Sequence, residues 1–261
     1  MTVVGSVESL WRYPVKSMRG EGLAEAFVGY AGVYGDRLYA LRSAAGIPGF
    51  PYLTAREKQE MLLCRPRFRN PGFAAKPPNL AEAESLGLGL TPLYATPEEF
   101  AVEVETPSGQ LLSVDDPGLL ALLAPENPAS LSLIRSDRAL TDCRPVSLIS
   151  LQTVHRLGDE VGVALDQRRF RANIYADLDA TVEAGEIAFL GRTLRIGEKL
   201  VLSVLERDPR CKMITLDPET GAPNPEILRN VNRRHGGNAG VYAAVLTEGT
   251  VHPGDEIVVL E

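Results

Sequence analysis

Apolar residues in this chain fall in short stretches broken by Gly and Pro, and long runs with a helical period are rare. Residues 3–13 predict a strand stopped by Pro14. Residues 26–34 and 37–41 predict two strands about the turn pair Gly35-Asp36. Residues 101–105 alternate apolar and acidic side chains, then Pro107-Ser108-Gly109 turns the chain into 110–114, which predicts a hairpin. A short helix follows, with Asp116 as its cap, Pro117 at its first position and a Leu-rich run to Ala124. After a strand at 131–135, Ser150 can cap an amphipathic helix that runs to about Val161. Strands are predicted at 169–176, 186–189, 193–196, 201–205 and 211–216. Pro225 opens a helix to Arg234, and 240–246 and 256–260 close the chain as strands.

Residues 70–92 are rich in Pro, Gly, Ala and Glu without a clear period, and they predict a surface insertion with one helical turn. Pro125-Glu126-Asn127-Pro128 is the best linker, which divides the chain into domains 1–125 and 126–261. No repeat or low-complexity tract is present. The fold class predicted is mainly β (α+β), two β-barrel-like domains with a few short helices.

Composition narrows the function classes. A formal charge of -7 argues against a general nucleic-acid or anionic-membrane binder, which needs a broadly positive field. No stretch approaches the ~18 apolar residues of a membrane span, and the N-terminus lacks the basic-then-apolar pattern of a signal peptide. The basic residues are lopsided, five lysines against 22 arginines. Cys64, Cys143 and Cys211 are too few and too scattered for a disulfide framework, and neither CxxC nor HExxH occurs. A reducing cytoplasm is the expected location.

The residues that could carry chemistry are concentrated in a few places. Cys211 stands between Arg210 and Lys212 with Arg207 nearby, where positive charge favours the thiolate, both a nucleophile and a soft metal ligand. From spacing alone, a packed strand cysteine with solvent-facing basic neighbours is the favoured reading, since free cysteines are mostly buried filler. Lys16 and Ser17 follow the bend at Pro14, and Arg37 follows the turn at Gly35-Asp36. On a strand, Arg169, Arg171 and Asn173 would share one face, which must then meet solvent, carboxylates or an anionic ligand. A salt-bridged sheet surface satisfies the same pattern. The Gly236–Gly240 stretch lacks a Walker lysine and reads as a loop. Cys64 and Cys143 read as core filler, His155 as partly buried structure on its helix, and His252 as part of a turn.

Taken together, Tyr-Pro-Val-Lys-Ser at 13–17, Gly-Asp-Arg at 35–37, Thr-Ala-Arg at 54–56, Phe-Arg-x-Asn at 170–173, Arg-Cys at 210–211, Asp-Pro-x-Thr-Gly at 217–221 and Pro-Gly-Asp at 253–255 resemble a MOSC protein with its usual N-terminal β-barrel partner. Within that family the likeness is to the mitochondrial amidoxime reducing component and its bacterial relatives. The resemblance implies a molybdenum cofactor, Mo-molybdopterin, bound through Cys211, with Lys16, Ser17, Arg37, Arg171, Asn173 and Arg210 holding the pterin and its phosphate. Pyridoxal phosphate is not expected. The chain departs from the pattern at Cys143-Arg144, where relatives often carry Thr-Ser before the equivalent of Pro145.

The activity so implied is reduction of N-hydroxylated or N-oxide compounds. The chain lacks the Cys cluster of an iron–sulfur module and a GxGxxG fingerprint, so electrons must come from a separate reductase or small carrier. Nucleic acid and membrane are not expected as partners. The alternatives are a carrier of the cofactor or of sulfur, with Cys211 as a persulfide, and a non-enzymatic β-barrel adaptor.

Overall fold

The computed structural model describes residues 1–86, 92–124 and 126–260. The strands begin with β1 (Thr2–Arg12), β2 (Glu21–Leu23), β3 (Ala26–Gly29), β4 (Gly32–Val33), β5 (Tyr39–Ile47) and β6 (Phe50–Tyr52). They continue with β7 (Arg65–Phe68), β8 (Val102–Glu105), β9 (Leu111–Ser113), β10 (Leu131–Arg135), β11 (Val146–Ser150) and β12 (Ile174–Leu178). The last five are β13 (Thr193–Ile196), β14 (Leu200–Pro209), β15 (Asn238–Thr247), β16 (Gly249–Val251) and β17 (Glu256–Leu260). The α-helices are α1 (Pro71–Ala75), α2 (Leu80–Leu86), α3 (Pro117–Leu123), α4 (Leu151–Val161) and α5 (Pro225–His235).

The chain forms two compact units that interleave along the sequence. One comprises Met1–Arg12, Gly20–Val33 and Thr141–Glu261, and the other Tyr13–Arg19 and Tyr34–Leu140. The expected division after residue 125 falls where the second unit is still continuing. Pro125 of the expected linker and residues 87–91 of the expected insertion lie outside the described residues.

The first unit is a closed seven-stranded barrel, β12-β11-β15-β14-β13-β17-β1, sealed by pairing of β1 with β12. Strand β1 is long enough to pair with β17 near its start, with β12 through its middle and with β2 at its end. Alternate residues point inward on β13 (Leu194, Ile196) and β14 (Leu200, Leu202, Val204). Val4, Val7 and Leu10 of β1 join the same buried cluster at a spacing of three, because the register of β1 shifts between Val3 and Gly5 and between Val7 and Ser9. Helices α4 and α5 cover part of the outer wall, where Ile149, Val154, Leu157, Tyr175, Ile227 and Val231 form a second cluster. That is why β11 is buried along its whole length: its two faces meet different cores. The remaining strands of this unit form the sheet β16-β3-β4.

The second unit has two three-stranded sheets, β10-β5-β6 and β7-β8-β9. Its core includes the rings of Tyr34, Phe68, Tyr94 and Phe100, with centroids 5.1 Å apart for Tyr34–Phe100 and 5.6 Å for Phe68–Phe100. The mainly β architecture expected from the sequence is present, and the hairpin β8–β9, helix α3 and helices α4 and α5 stand within a residue or two of their predicted bounds.

Other expectations are corrected. The stretch 26–34 is two strands: β3 turns back at Tyr30-Ala31 and pairs with β4, Val28 opposite Val33. Gly32 permits that reversal, since its φ is +107 and a Cβ there would crowd the Pro145 carbonyl. Strand β4 therefore does not pair with β5 about Gly35-Asp36. Three predicted strands contain one-turn 3-10 helices, Gln167–Phe170, Gly185–Phe189 and Lys212–Thr215, and only β12 survives of the first. The insertion at 70–92 carries two short helices instead of one turn.

Candidate functional site

The sequence-predicted residues fall into two groups, one in each unit. In the second unit, Lys16 and Arg37 converge on one residue. Lys16 Nζ donates to the carbonyl of Leu140 at 2.7 Å, and the Leu140 N–H donates to the carbonyl of Arg37 at 2.9 Å. Lys16 is almost wholly buried, yet its ammonium also lies 5.3 Å and 5.2 Å from the ring centres of Phe50 and Tyr52. The guanidinium of Arg56 stacks over the same Phe50 ring at 4.5 Å. Buried Asp36 accepts from the Tyr13 N–H at 2.8 Å and pairs with Arg37, whose guanidinium lies over the Tyr13 ring. The loop 13–17 and the turn 35–37 are thereby fixed to each other. Phe50, Tyr52 and Arg56 were not among the predicted site residues; the two aromatics flanking Pro51, and for Arg56 the Thr-Ala-Arg motif at 54–56, were their signal in the sequence.

In the first unit, Cys211 lies in extended backbone (φ -123) immediately before the turn Lys212–Thr215. It is half-buried, and no hydrogen bond reaches its sulfur among the described residues. Arg210 beside it is held by two hydrogen bonds and an ion pair. Its Nε donates to the Ala239 carbonyl at 2.6 Å, its Nη1 to the Phe170 carbonyl at 2.8 Å, and its Nη2 pairs with buried Asp208 at 2.8 Å. The positive surroundings inferred for Cys211 from sequence are thus partly neutralised, while Arg207 and Lys212 are exposed.

Arg169, Arg171 and Asn173 do not share a strand face. Arg169 belongs to the turn Gln167–Phe170, where its guanidinium pairs with Asp217 at 2.7 Å and donates to the Thr215 carbonyl. Burial lowers its pKa, against the pull of Asp217 and Asp166. Arg171 ends that turn in the left-handed region (φ +53). Asn173 is buried and bonded to backbone: its Oδ1 accepts from the Ser147 N–H at 3.2 Å, and its Nδ2 donates to the Trp11 carbonyl at 3.3 Å. It ties β11 and β1 at the edge of the barrel. Ser17 (φ +67) and Arg37 (φ +46) join Arg171 as the only non-glycine residues with positive φ among the described residues. Strain of this kind persists where surrounding structure enforces it, and it clusters at functional sites.

The other thiols divide. Cys64 is buried as expected, and burial, then the charge of Glu60, pushes its pKa up to about 11. Cys143 is exposed, a correction to its reading as core filler. Its thiol donates to Glu206 Oε1 at 3.1 Å, where Arg144 Nε also donates at 2.7 Å. The hydrogen bond to Glu206 holds the Cys143 pKa above its ordinary value, and slight burial adds to that. His155 is exposed on α4, not partly buried. No group of three or more His, Cys, Asp or Glu could hold a metal ion among the described residues. A cleft of about 540 Å³ at one end of the barrel, lined by Val182, Phe189, Arg192 and Leu260, contains none of the predicted residues. No described helix is long and apolar enough to cross a membrane.

Comparison with known proteins adds the following. A family model described as the MOSC N-terminal beta barrel domain matches residues 4–88, and one described as the MOSC domain matches residues 135–258. No curated protein matches the chain. Among solved structures, YiiM from Geobacillus stearothermophilus is 18% identical with a TM-score of 0.36, over 45% of this chain and 55% of that one. YiiM from Escherichia coli is 15% identical with a TM-score of 0.34, over the same shares of the two chains. The YUAD protein from Bacillus subtilis is 14% identical with a TM-score of 0.46, over 97% of this chain and 94% of its own. The chain thus spans little more than half the length of the YiiM proteins. MOSC domains are associated with molybdenum-cofactor binding. With both family models matched in order over most of its length, this chain belongs to the MOSC family, an N-terminal MOSC beta barrel domain followed by a MOSC domain.

Proposed function

We propose that this protein is a molybdenum-cofactor-dependent oxidoreductase that reduces N-hydroxylated or N-oxide compounds with electrons from a separate donor. The observation that carries the proposal is Cys211: a half-buried thiol with no hydrogen bond to its sulfur, on a loop anchored by Arg210. The donor chemistry fits the group. A thiolate is the soft ligand that molybdenum takes, and one protein ligand suffices when a dithiolene accompanies the metal. Lys16 and Arg37 bring cationic charge for a phosphate, with Ser17 beside them as a hydroxyl donor. Arg171, held left-handed, offers a planar fork. Asn173, whose amide is bonded to Ser147 and Trp11, keeps the neighbouring backbone in place.

When bound, the cofactor supplies two-electron chemistry at the metal. The overall change takes two electrons and two protons, cleaves the N–O bond and releases water. The protein's part is to supply the thiolate and to hold the cofactor. Three unpaired thiols fit a reducing compartment.

The test is molybdenum content and Mo(V) resonance of protein made in a cofactor-competent host, with benzamidoxime reduction by an artificial donor. Stoichiometric molybdenum and turnover are expected, and Cys211→Ala should lower turnover to background. Turnover retained in a molybdenum-loaded Cys211→Ala protein overturns the mechanism. Metal-free wild type with labile sulfane sulfur on Cys211 establishes a sulfur carrier instead.

A further inference from the structure

We propose that Glu186 is a positioning residue for the Cys211 loop, acting through the Gly240 peptide and the Arg210 guanidinium. The purpose assigned to that loop rests on the molybdenum reading; the contact chain itself does not.

Glu186 is 0% exposed. A carboxylate taken wholly out of water is costly unless donors surround it, and here there are four. Its Oε2 accepts from the Ser150 N–H at 3.2 Å, from Ser150 Oγ and from Thr153 Oγ1 at 2.8 Å. Its Oε1 accepts from the Gly240 N–H at 2.9 Å. The first three donors belong to the start of α4, which Ser150 already caps by accepting from the Thr153 N–H at 3.1 Å. A helix so capped does not call for a buried charge. The contact that needs an acceptor at this place is the fourth.

Gly240 lies in β15 with φ +85. A Cβ on it would stand 2.8 Å from Arg210 Nη2, 3.0 Å from the Leu148 carbonyl oxygen and 3.3 Å from Ile149 Cβ. The guanidinium therefore rests directly against this peptide. From there it reaches the Ala239 carbonyl, the Phe170 carbonyl and Asp208, while the Arg210 N–H donates to the Gly237 carbonyl at 2.7 Å. Phe170 immediately precedes left-handed Arg171, and Arg210 immediately precedes Cys211. Glu186 thus sets the height of the Gly240 peptide, that peptide seats Arg210, and Arg210 sets both the Arg171 turn and the backbone entering Cys211. Arg210 is a clamp in this arrangement and not a free fork for phosphate.

Glu186→Gln and Arg210→Lys, made in the full chain, are to be compared with Val258→Ala, a truncation of a buried barrel residue away from the loop. In cofactor-free protein the readout is the iodoacetamide alkylation rate at the Cys211 peptide, resolved by mass spectrometry from Cys143, beside thermal unfolding. In protein from a cofactor-competent host it is molybdenum content and the Mo(V) resonance. Both loop variants should change Cys211 alkylation several-fold, and Glu186→Gln should shift the resonance, whereas Val258→Ala loses stability with the wild-type rate intact. A wild-type alkylation rate in folded Glu186→Gln overturns the proposal and leaves the carboxylate a purely stabilising role. Should Glu186→Gln fail to fold, Arg210→Lys decides: an unchanged rate there breaks the chain at its second link. Wild type that takes up no molybdenum refutes the cofactor reading, while the alkylation comparison still decides the positioning.

Discussion

Ser17, Arg37 and Arg171 carry a cost that no sequence reading shows. Each holds an L side chain in the left-handed region, at roughly 1–2 kcal/mol apiece. All three were singled out through short motifs whose residue types suit phosphate, so chemistry was legible where backbone strain was not. The converse holds for Asn173 and Arg210. Their types suit a ligand equally well, but their polar atoms are largely occupied by backbone carbonyls, backbone N–H groups and Asp208. All of them but Asp208 lie 26 to 162 residues away, beyond the reach of any local pattern. Cys143 illustrates the same blindness with a testable consequence. Its thiol donates to Glu206, so the protonated form is favoured and its alkylation should set in above the ordinary cysteine value of about 8.5. Glu206→Gln should move that profile down and speed alkylation of the Cys143 peptide several-fold at pH 8. An unchanged profile in the variant would show that the hydrogen bond does not govern the thiol.

At the level of elements, the ends of helices were the most legible features. Asp116 accepts from the Gly118 N–H at 2.7 Å, Ser150 from Thr153, and Asn224 from Glu226, each ahead of a run with the right period. The 3-10 turns were misread because four or five mixed residues satisfy alternation and a three-residue period alike. In Gly185–Phe189 the buried positions are Gly185, Glu186 and Phe189, a spacing that separates the two only once burial is known. Such turns are pinned from outside. Gln167–Phe170 is held through Arg169 to Asp217, which also anchors its own turn by accepting from the N–H groups of Glu219 and Thr220. Burial raises the Asp217 pKa, but these N–H groups, the Thr220 hydroxyl and Arg169 together bring it below the ordinary value. Its folded pKa being lower than its unfolded one, the stabilisation is present above about pH 4 and is lost as pH falls through the folded value. Asp217→Asn keeps the turn's acceptor and removes the charge, so it should cost less than about 1 kcal/mol at pH 7. That deficit should close towards pH 3 in urea unfolding. A deficit independent of pH would assign the effect to shape and not to charge.

For the whole molecule, two β-rich parts were legible, and the interleaving was not. Periodicity locates strands but carries no information on which partner each finds. The barrel closes only because residues 2–12 lie between β17 and β12. Gly5 is the tightest point of that seam: a Cβ on it would stand 2.7 Å from Leu178 Cα and closer still to the Asp177 carbonyl oxygen. Gly5→Ala should therefore destabilise the fold by about 3 kcal/mol or more, with the loss read in the denaturation midpoint. A near-wild-type midpoint would mean that the seam yields without cost. The same seam has a consequence for biosynthesis. Strand β1 is made before its two neighbours in the ring, which follow about 170 and 250 residues later. At roughly 5–20 residues per second, β1 waits on the order of ten seconds or longer before either ring neighbour is made, with only its end, Leu10–Arg12, offered to β2 sooner. Its inward-facing apolar residues, Val4 and Val7, are exposed to chaperones, and to other nascent chains, for that whole interval. Translation speed over residues 13–178 should thus govern the yield of native protein more than it does for a barrel built from neighbouring strands.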